Sequence, residues 1–311
     1  RLHPIVSNHS VICVLCESRS ENAPAYLVRA SPRLNGTRKG LSQKKTCSII
    51  EWPARVAYVC GNSKDEHVNS VPTEVRSREP IPVRREPNGV VYTKRWVVEL
   101  MLDLAGYTSD RDLFSMRVIE PAAGDGSFVL ALVERLIESC RRFGHDIGKA
   151  SGAIAGYELD PESCERCRDS IICLLEGQGV SHDVAESLAK RWVVASDFLL
   201  DHREKLQVDI VIGNPPYIRL EDIPAGLAAK YRARYPTMTG RADIYVAFFE
   251  ESLRLLKPGG VCSFICADRW MLNQYGAQLR RLITSRFAVD TVIELHNADA
   301  FQTDVSAYPA I

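Results

Sequence analysis

Residues 116–144 read MRVIEPAAGDGSFVLALVERLIESCRRFG, a short β-prone run, a glycine-bearing turn and an amphipathic helix in direct succession. Val129, Val133, Leu136 and Cys140 recur on one helical face, and Gly144 closes the helix. The same alternation extends downstream. AIAGYEL (153–159) reads as a second strand, and Asp160-Pro161-Glu162 opens a helix with a cap, a first-position proline and an acid in the first turn. RWVVASDF (191–198) and VDIVIGN (208–214) supply two more strands. DIYVAFFEESLRLL (243–256) predicts a helix buried on a wide face, stopped by Lys257-Pro258-Gly259-Gly260. GVCSFICA (260–267) and VDTVIELH (289–296) are strands again. Strands alternating with helices predict an α/β fold with a doubly wound, mostly parallel sheet. Ligands of such sheets sit at the carboxyl ends of the strands, where the strand order reverses.

Ahead of Gly89 the texture differs. Residues 1–88 hold no sustained period, and EPIPVRREPNG (79–89) reads as a linker, so a disordered leader is expected there. Apolar patches such as VICVLC (11–16) leave room for an isolated strand or two. The formal net charge of zero hides an asymmetry: residues 1–88 carry 14 Lys and Arg against 8 Asp and Glu, leaving 25 against 31 in the remainder. An acidic remainder argues against broad, nonspecific nucleic-acid binding by that part alone. No apolar stretch approaches the roughly 20 residues of a membrane span, and no signal peptide is recognisable. The ten cysteines include two CxxC pairs, Cys13/Cys16 and Cys164/Cys167. The pairs lie far apart and the second spans one helical turn, so no metal site is expected and the thiols read as reduced, in a cytoplasmic protein.

Candidate chemistry gathers at the strand ends. EPAAGDGSF (120–128) brings Gly124 and Gly126 to a strand-to-helix turn, where backbone can approach a ligand closely. Glu158 ends the second strand, and a carboxylate there can accept both hydroxyls of a ribose. Asp197-Phe198 ends the third, and an acid beside an aromatic suits an adenine ring. The fourth strand stops at Gly213, followed by Asn214-Pro215-Pro216-Tyr217. Two prolines remove two backbone donors and fix φ twice, so the strand cannot continue. A substrate nitrogen conjugated to a ring or carbonyl is a poor nucleophile because its lone pair is delocalised. The Asn214 side-chain oxygen and the Pro215 carbonyl can each accept one of its protons, localising the lone pair for attack, while the prolines hold both acceptors rigid. Tyr217 can stack on the planar group carrying that nitrogen. Positioning beside an activated methyl donor then needs no metal and no catalytic dyad.

EPAAGDGSF, GYELD (156–160), ASDF (195–198) and GNPPYIR (213–219) stand in an order that resembles S-adenosylmethionine-dependent methyltransferases of restriction–modification systems, which methylate the amino group of adenine in DNA. GVVYTKRWVVELML (89–102), ICADRWM (265–271) and AYPAI (307–311) extend the resemblance over residues 89–311, although Lys94 replaces a usual proline and Glu120 a common Asp. The resemblance implies a seven-stranded, Rossmann-like methyltransferase sheet with its last strand incomplete at Ile311, and a C-terminal target-recognition domain that is absent. It implies that Thr93, Glu120 and the loop Ala122–Gly126 hold the methionine end of the cofactor, Glu158 its ribose, and Asp197 with Phe198 its adenine. Asn214, Pro215, Pro216 and Tyr217 would hold a target adenine flipped out of double-stranded DNA. In the loop LAAKYRARYPTMTGR (227–241), Lys230, Arg232, Arg234 and Arg241 are candidates for phosphate contact, against the alternative of an ordinary solvated loop. Expected partners are DNA and either a restriction endonuclease or a separate recognition domain.

Three rival readings remain open on sequence. Asn-Pro-Pro-Tyr also occurs in enzymes methylating a protein glutamine amide and in some RNA methyltransferases, which generally lack the Tyr92-Thr93 segment. A NAD-dependent dehydrogenase leaves Asn214–Tyr217 unexplained. A truncated, noncatalytic remnant that still binds the cofactor is the third.

Overall fold

The computed structural model describes residues 11–18, 55–58, 93–200 and 207–295. Among these residues eight strands form one sheet in the order β2-β8-β1-β7-β6-β3-β4-β5. They are β1 (Val11–Ser18), β2 (Arg55–Tyr58), β3 (Val118–Glu120), β4 (Ile154–Glu158), β5 (Val193–Ala195), β6 (Val208–Gly213), β7 (Leu256–Ala267) and β8 (Phe287–Glu294). The run β7-β6-β3-β4-β5 is parallel throughout. From β3 the chain steps outward to β4 and β5, then returns to the other side of β3 as β6. The strand order therefore reverses between β3 and β6, where a crevice opens at the carboxyl ends.

Helices cover both faces. On one lie α1 (Arg95–Leu104), α2 (Ser127–Phe143), α3 (Pro161–Gly177) and α4 (His182–Trp192); on the other lie α5 (Ala225–Arg234), α6 (Tyr245–Leu255) and α8 (Ala277–Arg286), with the short α7 (Arg269–Leu272) before α8. Successive strand residues point to opposite sides. Val118, Ile210, Ile212 and Ile265 enter the first core, and Ile119, Val211, Phe264 and Cys266 the second. The helical stripe read on 127–144 is buried as expected, with Val129, Val133, Leu136 and Cys140 all in the first core. Each such aliphatic side chain contributes roughly 1.5–3 kcal/mol on burial. Gly144 adopts the left-handed conformation at φ 74° and caps α2, and the Asp160 carboxylate accepts the Ser163 backbone N–H at 2.8 Å to start α3. Cys164 and Cys167 both face the core from α3.

Three expectations need correction. Six of the seven expected strands lie within residues 93–295, and two more join them from the leader, making eight among the described residues. The strand allowed for at VICVLC is present, but neither it nor β2 is isolated: β1 lies antiparallel between β7 and β8, and β2 runs parallel to β8. Arg191 and Trp192 close α4 rather than begin a strand, because the Trp192 indole is buried and donates to the Ala150 carbonyl at 3.0 Å. The segment 227–241, read as a loop, is helical to Arg234. AYPAI (307–311), the expected start of the last strand, and the linker 79–89 lie outside the described residues. Among the described residues no helix is long and apolar enough to cross a membrane, and no cluster of three His, Cys, Asp or Glu has metal-ligating geometry.

Candidate active site

The crevice at the strand ends encloses a cavity of about 460 Å³. Its floor begins where β3 ends at Glu120. The turn that follows passes through Gly124 at φ 55° and Gly126 at φ 92°, both left-handed conformations that a Cβ would strain. At Gly124 an added Cβ would meet nothing within 4 Å, so that glycine serves the turn and keeps the cavity open. Gly126 does not line the cavity; a Cβ there would stand 2.9 Å from the Cys167 Sγ, so its absence lets α2 pack against α3.

Glu158 ties two walls together. Its Oε2 accepts the Gly124 N–H at 2.8 Å, and its Oε1 accepts the Asp160 N–H at 2.9 Å. Each oxygen keeps a further lone pair for a ligand hydroxyl. Asp197 is held from three sides: Oδ1 accepts from the Leu199 and Leu200 backbones at 2.9 and 3.3 Å, and Oδ2 from the Tyr231 hydroxyl at 2.8 Å. Phe198 is buried against Phe248, ring centroids 5.5 Å apart and nearly parallel, and is tilted against Tyr157.

Glu120 is 1% exposed, and its Oε2 has no hydrogen-bond partner among the described residues. Burial, reinforced by the Asp125 and Glu158 carboxylates, holds its pKa well above the ordinary 4.5. The carboxyl group lies where a side chain at residue 213 would stand: a Cβ on Gly213 would be 2.7 Å from the Glu120 Oε1.

Beyond Gly213, Asn214 donates its Nδ2 to the Thr93 Oγ1 at 3.2 Å, and Thr93 is itself buried. Tyr217 donates its hydroxyl to the Ile265 carbonyl on β7 at 3.1 Å and meets Tyr245 edge-on at 6.3 Å. These contacts fix the plane of the Tyr217 ring.

Thr93, Glu120, Ala122, Gly124, Glu158, Asp197, Phe198 and Asn214 through Tyr217 all line this one cavity. Lys230, Arg232, Arg234 and Arg241 do not. Arg234 turns inward, donating to the Tyr235 hydroxyl at 3.2 Å and to buried Glu251 at 3.4 Å. Arg232 donates to the Gly240 carbonyl, whereas Lys230 is exposed and the Arg241 side chain is 91% exposed, 4.0 Å from Glu221. Sequence reading missed Leu159 and Tyr231 as lining residues. Leu159 is 64% exposed, and its signal was an apolar residue immediately after a strand-end acid. Tyr231 was hidden as the lone aromatic between Lys230 and Arg232.

This arrangement has known relatives. Residues 153–301 match the Eco57I restriction-modification methylase model. The matched stretch is just under half of the chain. It carries Glu158, Asp197, Phe198 and Asn214–Tyr217, while Thr93 and Glu120 precede it. The chain is 44% identical over 229 residues to the Type II methyltransferase M.PaeR7I of Pseudomonas aeruginosa, covering 73% of this chain and 40% of that protein. It is 41% identical to M.XhoI of Xanthomonas vasicola over 73% of this chain and 42% of the relative, and 42% identical to M.BstVI of Geobacillus stearothermophilus over 72% and 41%. The chain thus spans about two fifths of the length of these relatives.

Proposed function

We propose that this chain transfers a methyl group from S-adenosylmethionine to the exocyclic amino group of adenine in double-stranded DNA, within a restriction–modification system. One observation carries the reading: the acids suited to the cofactor and the rigid Asn214–Tyr217 acceptor line the same cavity.

The residues present fit the cofactor. The unpartnered Oε2 of buried Glu120 suits the ammonium of the methionine end, and Thr93 its carboxylate. Glu158 keeps acceptor capacity for the ribose hydroxyls, and Asp197 with Phe198 offers an acceptor and a flat apolar wall for the adenine. Exposed Leu159 beside Glu158 would lose its water contact against the same ring. The cofactor supplies an electrophilic methyl group on a sulfonium sulfur.

The chain's own part is to make the target nitrogen nucleophilic. In our reading, the Asn214 oxygen and the Pro215 carbonyl accept its two protons, which favours tetrahedral nitrogen and withdraws the lone pair from the ring. Pro215 and Pro216 keep these acceptors from relaxing, so no reorganisation is needed during reaction. Tyr217 covers the face of an adenine flipped out of the duplex. Lys230, Arg232 and Arg241 are assigned to the DNA backbone. Residues 89–311 are assigned the chemistry, and choice of DNA sequence is assigned to a recognition domain outside them. A restriction endonuclease acting on the same sequence is the implied companion, and a DNA substrate implies a cytoplasmic enzyme.

The test is incubation with methyl-labelled S-adenosylmethionine and unmethylated DNA, using Asn214→Ala as control. Label on adenine that disappears in the variant supports the assignment. A folded chain that binds cofactor but labels neither DNA adenine nor any other acceptor overturns it.

A further inference from the structure

Asn214 and Thr93 stand 121 residues apart and share a hydrogen bond on the cavity wall. The two arms of a carboxamide have nearly the same shape and opposite chemistry: the oxygen only accepts, and the nitrogen only donates. An amino group being prepared for attack has protons to give away. It therefore needs the oxygen, and an Asn214 turned the other way would set donor against donor. Something must choose between two arrangements that differ little in shape. The Thr93 Oγ1, 3.2 Å from the Asn214 Nδ2, is positioned to choose.

A threonine hydroxyl both donates and accepts, so by itself it can satisfy either arm. The ambiguity ends when its own proton is taken elsewhere. Thr93 is buried on the same wall as Glu120, whose unpaired Oε2 marks where an amino-acid end would sit. A carboxylate there can take only a donated proton. Thr93 is then left as an acceptor, and only the Nδ2 arm of Asn214 can face it.

We propose that Thr93 is a positioning residue that couples the two halves of the site: once the carboxylate end of the cofactor holds its hydroxyl proton, Thr93 locks Asn214 with its oxygen toward the target amino group. Capture of the base in its reactive arrangement thus depends on cofactor occupancy. The inference rests on the methyl-transfer reading, but its central claim concerns one side-chain amide and is measurable without turnover.

The side-chain amide signals of the 15N-labelled chain are recorded, with the Asn214 pair identified by its loss in Asn214→Asp. S-adenosylhomocysteine, which carries the amino-acid end, is expected to shift and sharpen that pair. 5′-Methylthioadenosine, which lacks this end, is expected to leave it unmoved although it binds. This comparison uses the unaltered protein and survives any folding failure of a variant. In Thr93→Val the Asn214 response to S-adenosylhomocysteine disappears while calorimetry still detects binding, and Thr93→Ser restores it. An equal response to both ligands, or a full response in Thr93→Val, overturns the proposal.

Single-turnover transfer to an adenine-containing duplex at saturating cofactor adds a second arm. Thr93→Val is expected to lose about tenfold in rate, the effect of one misdirected buried hydrogen bond, with Thr93→Ser close to the parent. A Thr93→Val rate equal to the parent's refutes the coupling. If the unaltered chain methylates no adenine yet its Asn214 pair responds as described, the functional reading fails and the positioning claim stands.

Discussion

Tyr231 donates its hydroxyl to the Asp197 Oδ2 across 2.8 Å, so helix α5 and the turn after β5 share a hydrogen bond on the cavity wall. Tyr231 is the one buried residue of α5, and Leu227 and Ala228 pack beside it against the second core. Burial and the Asp197 charge raise the phenol's pKa, so it remains a donor at every working pH.

Removing that donor frees one oxygen of Asp197 and loosens α5. Tyr231→Phe is expected to weaken S-adenosylhomocysteine binding several-fold and to lower stability by about 1 kcal/mol. Calorimetric titration against both S-adenosylhomocysteine and adenosine checks the location. A loss shared by the two ligands puts the effect at the adenine end; a loss confined to the longer ligand does not.

Glu120 predicts a pH dependence with a definite sign. Its folded-state pKa is raised, chiefly by burial. Between pH 4.5 and that raised value the folded chain holds a proton that the unfolded chain has lost, so stability falls as pH rises through the window. Glu120→Gln removes this slope. The variant's melting temperature should exceed the parent's above pH 4.5 by a margin that grows with pH, while cofactor binding is lost. In the parent, an ammonium placed beside Glu120 favours its ionised form, so binding should release a proton. Titrations in buffers of different ionisation enthalpy measure that release, and none is expected from the variant.

What could be read from sequence divides by the range of the interactions involved. The turn 120–126, the helix after it and the Asp160 cap are local, and each stands where its residues put it. Glu158, Asp197 and Asn214 converge because each ends or closely follows a strand of one parallel sheet, and the alternation alone implies that. β1 was not legible as part of the sheet, because Val11 pairs with Ala267 and Ile12 with Glu294, partners more than 250 residues away. Helix α5 escaped because a single buried tyrosine leaves no apolar stripe to detect. α4 runs into β5 with no breaker between Trp192 and Val193, so that boundary had no signal.

The four basic residues of 230–241 should separate into two groups. Arg234 is half-buried and held by Tyr235 and Glu251, so Arg234→Ala is expected to cost about 1 kcal/mol of stability and leave the salt dependence of DNA binding unchanged. Lys230→Ala and Arg241→Ala should leave stability within about 0.5 kcal/mol of the parent. Each should also reduce the slope of log affinity against log salt by about 1. Fluorescence anisotropy on a labelled duplex at several salt concentrations distinguishes the groups. A slope change in Arg234→Ala would mean that its inward pairing opens when DNA binds.

Gly213 and Glu120 provide the sharpest test of the cavity floor, because the carboxyl group occupies the space a side chain at 213 would need. A Cβ at residue 213 would stand 2.7 Å from the Glu120 Oε1 and 3.5 Å from the Pro121 Cδ. The second distance is ordinary contact, so the steric part of the strain falls on the carboxyl group, and the backbone at φ 158° adds its own. Gly213→Ala is expected to displace that carboxyl, weaken cofactor binding at least about tenfold and cost roughly 1–3 kcal/mol of stability. In a Glu120→Ala background the obstructing oxygen is gone, and the same glycine substitution should cost less, keeping only the backbone strain of φ 158°. The two changes are therefore expected to couple by about 1 kcal/mol or more in a double-mutant cycle followed by urea denaturation. Additive costs would mean that Gly213 is required for the backbone turn into Asn214 and not for the approach to Glu120.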